Sequence, residues 1–498
     1  MSPQRDPATA VAAGDRRKRG AMAHAGEASP LASGLHGLVQ RAFGSLQPTL
    51  VSCTVPVTLR DPIDLFAASR SLGLDPALWL APADRFALVG IGSAWTARPT
   101  GIGRFHQVAE AWTGLTRNAL VAGDAPSQRG AGPLLLGGFA FAPESTRDGT
   151  AWTGFGAAAL VLPRLLLTVS GGSAWLTASV IVDPAEAGSR SGTAGQLVAD
   201  LEADWAALDR ASSAAVPLAP ATGTLNATSV VPEAAWQAAV IRLAGAVGRG
   251  RVDKVVLARQ VEVSADAAID VPAVLRRLEA SASESTIFAI GHGQRTFLGA
   301  TPERLVRTNG HDFRTVAMAG SIRRGSDDDE DARLASELLA SEKEREEHRV
   351  VVDMLRETLA PLATRLEVEP AARVVRLRHI QHLVTLVRGR LREQAGILDL
   401  VERLHPTPAV GGAPRELALA LLEEEERFDR GWYAGPVGWL DRRGDGEFVV
   451  AIRSGVVNGA SASLFTGCGI VADSEPGREW DESEVKLRAL ASALGRLP

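Results

Sequence analysis

Asp253-Lys-Val-Val-Leu-Ala-Arg259 is a run of strand-forming residues with a lysine set into it. A period of two puts Lys254, Val256 and Ala258 on one face and Val255 and Leu257 on the other. Both faces are apolar, which suits a strand covered on two sides better than one facing water. A lysine there either snorkels to water from the strand's end or stays desolvated, with a lowered pKa that suits a base. Similar short runs occur at Phe86-Ala-Leu-Val-Gly-Ile91, Leu134-Leu-Leu-Gly-Gly-Phe139 and Ala157-Ala-Ala-Leu-Val-Leu162, broken by Gly, Pro and Asp as strands of a sheet are.

Working outward from this strand, the pattern predicts a helix from Pro232 to about Val247 and strands at Lys254 to Val263 and Thr286 to Gly291. A charged helix follows near Asp331 to Leu359, then a helix around Pro414 to Arg427. Paired strands come next, at Pro436 to Asp441 and Glu447 to Val457, and a last helix begins near Glu482. Toward the N-terminus, strands from Thr54 end in a helix at Thr193 to Leu208. Strands and helices do not alternate regularly, so the fold class is α+β rather than doubly wound. At 498 residues the chain exceeds one simple core. We read residues 1–45 as a disordered tail, 46–211 as an N-terminal α+β half, 212–231 as a linker rich in Ala, Pro, Thr and Ser, and 232–498 as a second half.

Composition excludes several classes. Hydrophobic residues at 46% and charged residues at 22% fit a soluble globular protein. A net charge of −5 gives no footprint for nucleic acid, and Arg16-Arg17-Lys18-Arg19 reads as a solvated patch in the tail. Gly90 and Gly92 start like a dinucleotide fingerprint, but the third glycine is missing, which leaves a turn. Two distant cysteines, Cys53 and Cys468, fit a reducing cytoplasm. No apolar run reaches membrane-span length and no signal peptide is recognisable.

Several residues look placed for chemistry. Glu303 follows Thr301-Pro302, so its carboxylate projects from a rigid strand end, where either catalytic acids or plain surface turns occur. In Ser341-Glu-Lys-Glu-Arg-Glu-Glu-His-Arg-Val-Val-Val-Asp-Met354, stepping by three and four from Met354 gives Val351, Glu347 and Glu344. Carboxylates in line with an apolar stripe need a partner, either a hard cation such as Mg²⁺ or an internal Lys or Arg. Glu479, Glu482 and Lys486 share a helical face, which by itself describes an ordinary surface pairing. Arg453 interrupts an apolar strand and requires an anion, internal or ligand. Gly467 and Gly469 clear one strand face, for a ligand or for tight packing.

The order and wording of ten blocks between Lys254 and Lys486 resemble the chorismate-utilising enzymes, which include isochorismate, anthranilate, aminodeoxychorismate and salicylate synthases. These blocks include Lys254-Val-Val-Leu-Ala-Arg259, Gly299-Ala-Thr-Pro-Glu-Arg-Leu305, Ala317-Met-Ala-Gly-Ser-Ile-Arg-Arg324, His382-Leu-Val-Thr385, Leu404-His-Pro-Thr-Pro-Ala-Val-Gly-Gly412, Val450-Ala-Ile-Arg453 and Gly467-Cys-Gly-Ile-Val471. The resemblance implies a large composite fold of layered, largely antiparallel sheets flanked by helices, with 232–498 as the catalytic half. It implies chorismate as substrate, Lys254 as general base, Glu303 as general acid, and Glu347 and Glu482 as Mg²⁺ ligands, with Glu344 and Glu479 reaching the metal through water. Arg453, Gly467, Lys486 and Ala409 would contact the substrate. Lysine at 254, where anthranilate synthases resemble glutamine, and Ala319, where aminodeoxychorismate synthases carry lysine, point to isochorismate synthase. Salicylate synthase and a non-catalytic chorismate-binding homologue are the alternatives. The protein is expected to be a cytoplasmic monomer without nucleic-acid or membrane partners.

Overall fold

The computed structural model describes residues 29–123, 128–144, 150–186, 193–213, 225–376 and 380–495. Among them the strands form two sheets, of 13 and 10 strands. In the larger, Lys254–Ser264 lies between Asn226–Ser229 and Ser461–Ile470. The sheet continues through Ser454–Asn458, Arg295–Thr301 and Thr286–His292, and from there into Pro76–Ala81 and the remaining N-terminal strands. Its pairings are antiparallel except for Thr49–Val57 with Leu120–Gly123. The smaller sheet likewise joins both halves, pairing Pro436–Asp441 with Leu134–Phe139. The α+β class with layered antiparallel sheets is therefore what the chain adopts, and each sheet draws strands from both sequence halves.

Burial explains the layers. Phe86 and Phe297 in the larger sheet and Trp439 and Phe448 in the smaller belong to one buried cluster, and Phe86 packs against Trp439 with ring centroids 5.6 Å apart. Helices cover the other face of the larger sheet, where Leu35, Phe66, Leu201, Leu275 and Leu490 are buried. The alternation expected for Lys254–Ser264 holds. Val255 and Leu257 are buried beneath Glu233–Gly248 and Arg415–Glu425, while Lys254 and Val256 face a cavity on the opposite side.

Four expectations need correction. The tail is not disordered throughout: Pro30–Phe43 is a helix, with Ser29 Oγ accepting from Ala32 N and proline in its first turn. Leu31, Leu35, Val39 and Ala42 bury its inner face. Residues 1–28, including Arg16 to Arg19, lie outside the described part. Of the expected linker, 214–224 also lies outside it, whereas Asn226–Ser229 is an edge strand. The charged helix is two helices, Asp328–Ala340 and Glu342–Leu359, divided at Ser341, whose Oγ accepts from Glu344 N at 3.3 Å. The last helix also starts earlier than expected, as Pro476–Leu494. Among the described residues no helix is long and apolar enough to cross a membrane.

Candidate active site

The site forms where two chain segments pass from one sheet to the other, side by side. Arg295–Thr301 belongs to the larger sheet and Arg304–Asn309 to the smaller, so Pro302 and Glu303 occupy the crossing. Gly446–Val450 and Ser454–Asn458 repeat the move in reverse, with residues 451–453 between them. The expected continuous strand at Glu447 to Val457 is thus broken at Arg453, whose φ of 52° is left-handed. Backbone bonds tie the crossings together: Val450 N donates to Glu303 O at 3.0 Å, and Thr301 Oγ1 donates to Val450 O at 2.7 Å.

A cavity of about 370 Å³ opens over these crossings. Lys254, Glu303, Glu344, Glu347, Ala409, Arg453, Gly467, Glu479, Glu482 and Lys486 all line it. The structure therefore brings every residue singled out in the sequence to one place. Lys254 does not snorkel outward: its Nζ donates to Glu347 Oε1 at 2.6 Å. An internal lysine is thus the partner Glu347 has here. Burial raises the Glu347 pKa, yet the Lys254 ammonium outweighs it and holds the carboxyl below its ordinary range.

Glu303 behaves oppositely. Its open side faces the cavity, and desolvation lifts its pKa to about 7 despite the Thr407 hydroxyl, which donates to Oε1 at 3.3 Å, and the cations Lys254, Arg453 and Lys486. A carboxyl poised there can donate a proton near neutral pH. Burial lowers the Arg453 pKa, and among the described residues its guanidinium makes no hydrogen bond or salt bridge. Lys486 Nζ contacts Glu482 Oε1 at 2.7 Å and Gly467 O at 3.2 Å.

The buried stripe of Glu342–Leu359 is His348, Val352, Leu355 and Leu359. Glu344 and Glu347 run beside it and reach the cavity. His348 anchors the helix, with its ring nitrogens 3.1 Å from Ala319 O and 2.7 Å from Thr385 Oγ1. A bulge at Gly320, with φ of 76°, turns Ser321 N to donate to Glu344 Oε2 at 2.8 Å. The two glycines of Ser461–Ile470 differ. A Cβ on Gly469 would meet Lys254 Cε at 2.5 Å, so its bareness makes room for the lysine, whereas one on Gly467 would meet Leu257 O at 2.8 Å and serves close strand approach.

Glu479 and Glu482 each offer an oxygen that, with Cys468 Sγ, falls within a 4.8 Å cluster. Burial pushes the Cys468 thiol up to about 12 and its Sγ donates to Glu479 O at 3.1 Å, so the oxygens are the available ligands. Burial and the neighbouring Glu482 raise the Glu479 pKa, outweighing the Ser474 hydroxyl and the cations Lys486 and Lys343. This donor set fits a hard divalent cation. The tight cluster pairs Glu482 with Glu479 rather than with Glu347.

Sequence reasoning gave no role to Met318, Tyr433, His382 or Arg430, which also line the cavity, or to Thr407, which bonds Glu303 at its rim. Burial, Arg453 and Lys486 lower the His382 pKa to about 4, leaving a neutral ring. Arg430 is buried and donates to Val256 O and Val410 O, fixing the strand that carries Lys254. Its signal was available: an arginine four residues after Glu426, in the helical spacing of an ion pair. Nothing local marks His382 as a cavity residue or Thr407 as a partner of Glu303, since tertiary packing alone brings them there.

Comparison with known proteins gives the family. A relative in Pseudomonas aeruginosa, described as salicylate biosynthesis isochorismate synthase, is 36% identical over 479 residues, covering 94% of this chain and 96% of the relative. Isochorismate synthase MenF of Bacillus subtilis is 35% identical over 458 residues, covering 90% of this chain and 93% of that one. Among solved structures, the menaquinone-specific isochorismate synthase MenF of Escherichia coli matches with a TM-score of 0.74 at 25% identity, over 93% of this chain and 99% of that one. The family model described as chorismate binding enzyme matches residues 38–495, and the chain belongs to the chorismate-binding enzymes.

Proposed function

We propose that the protein is an isochorismate synthase, an isomerase that adds water at C2 of chorismate and expels the C4 hydroxyl, and that it depends on Mg²⁺. The observation that carries this reading is the Arg453 guanidinium, which lacks an anion of its own in a cavity that also holds an amine and a carboxyl near neutrality. A dicarboxylate substrate supplies the missing charge. Arg453 and Lys486 orient its carboxylates, and Gly467 and Ala409 line the cavity beside it. Lys254 serves as the general base that takes a proton from water as the oxygen bonds to C2. Glu303 gives its proton to the C4 oxygen, which leaves as water. Each transfer contributes roughly 10² to 10⁴-fold to the rate. Glu347 and Glu482 would hold the magnesium, with Glu344 and Glu479 beside it; when bound, the ion supplies countercharge to a substrate carboxylate.

Ala319 lines the cavity without an amine, which disfavours aminodeoxychorismate chemistry. Lys254 and Glu303 in one cavity disfavour a non-catalytic role. A chain with two cysteines, far apart in the sequence, supports a cytoplasmic location. Incubation with chorismate and Mg²⁺ followed by product separation tests the reading. Isochorismate is expected, and salicylate with pyruvate would overturn it in favour of a salicylate synthase.

A further inference from the structure

On the smaller sheet, away from the catalytic cavity, register pairing lines up five charged residues straight across five strands. Arg307 faces Glu447 on one side and Arg314 on the other, Arg314 faces Arg388, and Arg388 faces Glu367. Three arginines are therefore consecutive cross-strand neighbours on one face, their backbones spaced by the interstrand distance of about 4.8 Å. Like charges opposed in this way are destabilising unless an anion lies between them. The end members have partners: Arg307 bonds Asp84 at 2.8 Å, Glu447 is taken by Arg129 and Arg304, and Glu367 pairs with Arg365. The two central arginines, Arg314 and Arg388, make no hydrogen bond or salt bridge among the described residues. Arg390, paired with Asp312 at 3.2 Å, and Arg365 extend the positive surface on the same face. Arg307, Arg314, Arg388, Arg390 and Arg365, with Glu367 and Asp312, line a concavity of about 750 Å³ that shares no residue with the catalytic cavity.

We infer that this arginine row is a second binding site, for a small linear polyphosphate such as the phosphate chain of a nucleotide. Guanidinium forks match phosphate oxygens in pairs, and a row of three spans about 10 Å, long enough for two or three linked phosphates. Glu367 and Glu447 bound the row, which limits the ligand's length. Partial desolvation and the neighbouring Arg307 and Arg304 hold the Arg314 pKa below its ordinary range although its side chain reaches solvent, so its charge gains from an arriving anion.

Isothermal titration of the full-length protein with inorganic tripolyphosphate in magnesium-free buffer tests the inference. The wild type should show saturable binding, weakened on the order of 100-fold in an Arg314→Gln/Arg388→Gln double variant by loss of two charge-assisted contacts. Chorismate turnover of that variant should be unchanged, and tripolyphosphate should raise the Tm of the wild type but not of the variant. Absence of saturable binding, equal affinity in the double variant, or loss of binding in Arg453→Gln would each overturn the site. Citrate binding as tightly as tripolyphosphate, or an oligonucleotide binding where tripolyphosphate does not, would overturn the assigned ligand class.

Discussion

Gly469→Ala separates the position of Lys254 from its presence. The added methyl carbon would lie 2.5 Å from Lys254 Cε and 3.1 Å from Nζ, both at the far end of a flexible side chain. Ordinary van der Waals contact requires about 3.5 to 4 Å, so the amine must shift by roughly 1 Å and leave its 2.6 Å contact with Glu347. A displacement of that size costs about 10²-fold when the group is aligned with a reacting atom. Gly469 does not sit in the left-handed region, so the substitution adds no backbone strain. We therefore expect kcat on chorismate to fall by about 100-fold, with Tm within 2 °C or so of the wild type. Gly467→Ala is the control, because its methyl would strike Leu257 O at 2.8 Å and Ala258 Cα at 3.2 Å. Backbone cannot yield there, so that variant should lose stability first. Steady-state kinetics with thermal melts read both outcomes. A Gly469→Ala enzyme with wild-type kcat would refute the placement of Lys254 against the reacting water.

Other perturbations probe the remaining parts. Lys254→Ala should abolish hydration while Mg²⁺-dependent binding of chorismate stays measurable by calorimetry; retained turnover would remove the lysine from its role. With its pKa near 7, Glu303 is protonated below that pH, so turnover should fall as pH rises through about 7, and Glu303→Gln should flatten that limb along with a loss of roughly 10² to 10⁴-fold. The same shift has a stability sign: the folded site keeps a proton that the unfolded chain releases near 4.5, so this contribution is complete below that pH and lost as pH climbs through about 7. Glu303→Gln should accordingly melt higher than the wild type at pH 8 and near it at pH 4.5. His348→Ala strands Ala319 O and Thr385 Oγ1 and should cost about 1 to 3 kcal/mol in denaturant unfolding.

Much of the site was readable because its residues obey local rules. Lys254 faces the cavity because period-two alternation fixes its side of the strand, and Glu344 and Glu347 share a line because helical steps of three and four put them there. What escaped reading depends on which strands meet. Local pattern shows that Phe448 to Val457 is extended and apolar, but not that the chain changes sheets at Arg453, which requires knowing the partners on each side. The helix at Pro30–Phe43 escaped for another reason. Its Ala, Gly and Ser content reads as disorder, although Ser29, Pro30 and the spacing of Leu31, Leu35, Val39 and Ala42 carry a helix signal. Ser341 also announced the break between two helices, as a serine with glutamate three residues on.

The most direct test of the central claim is turnover of chorismate in ¹⁸O-labelled water with Mg²⁺ present, followed by mass spectrometry of the product. Water attack at C2 opposite a protonated leaving group predicts isochorismate carrying one ¹⁸O, on C2. Unlabelled isochorismate, formed by migration of the original hydroxyl, would contradict the assignment of Lys254 and Glu303 as base and acid.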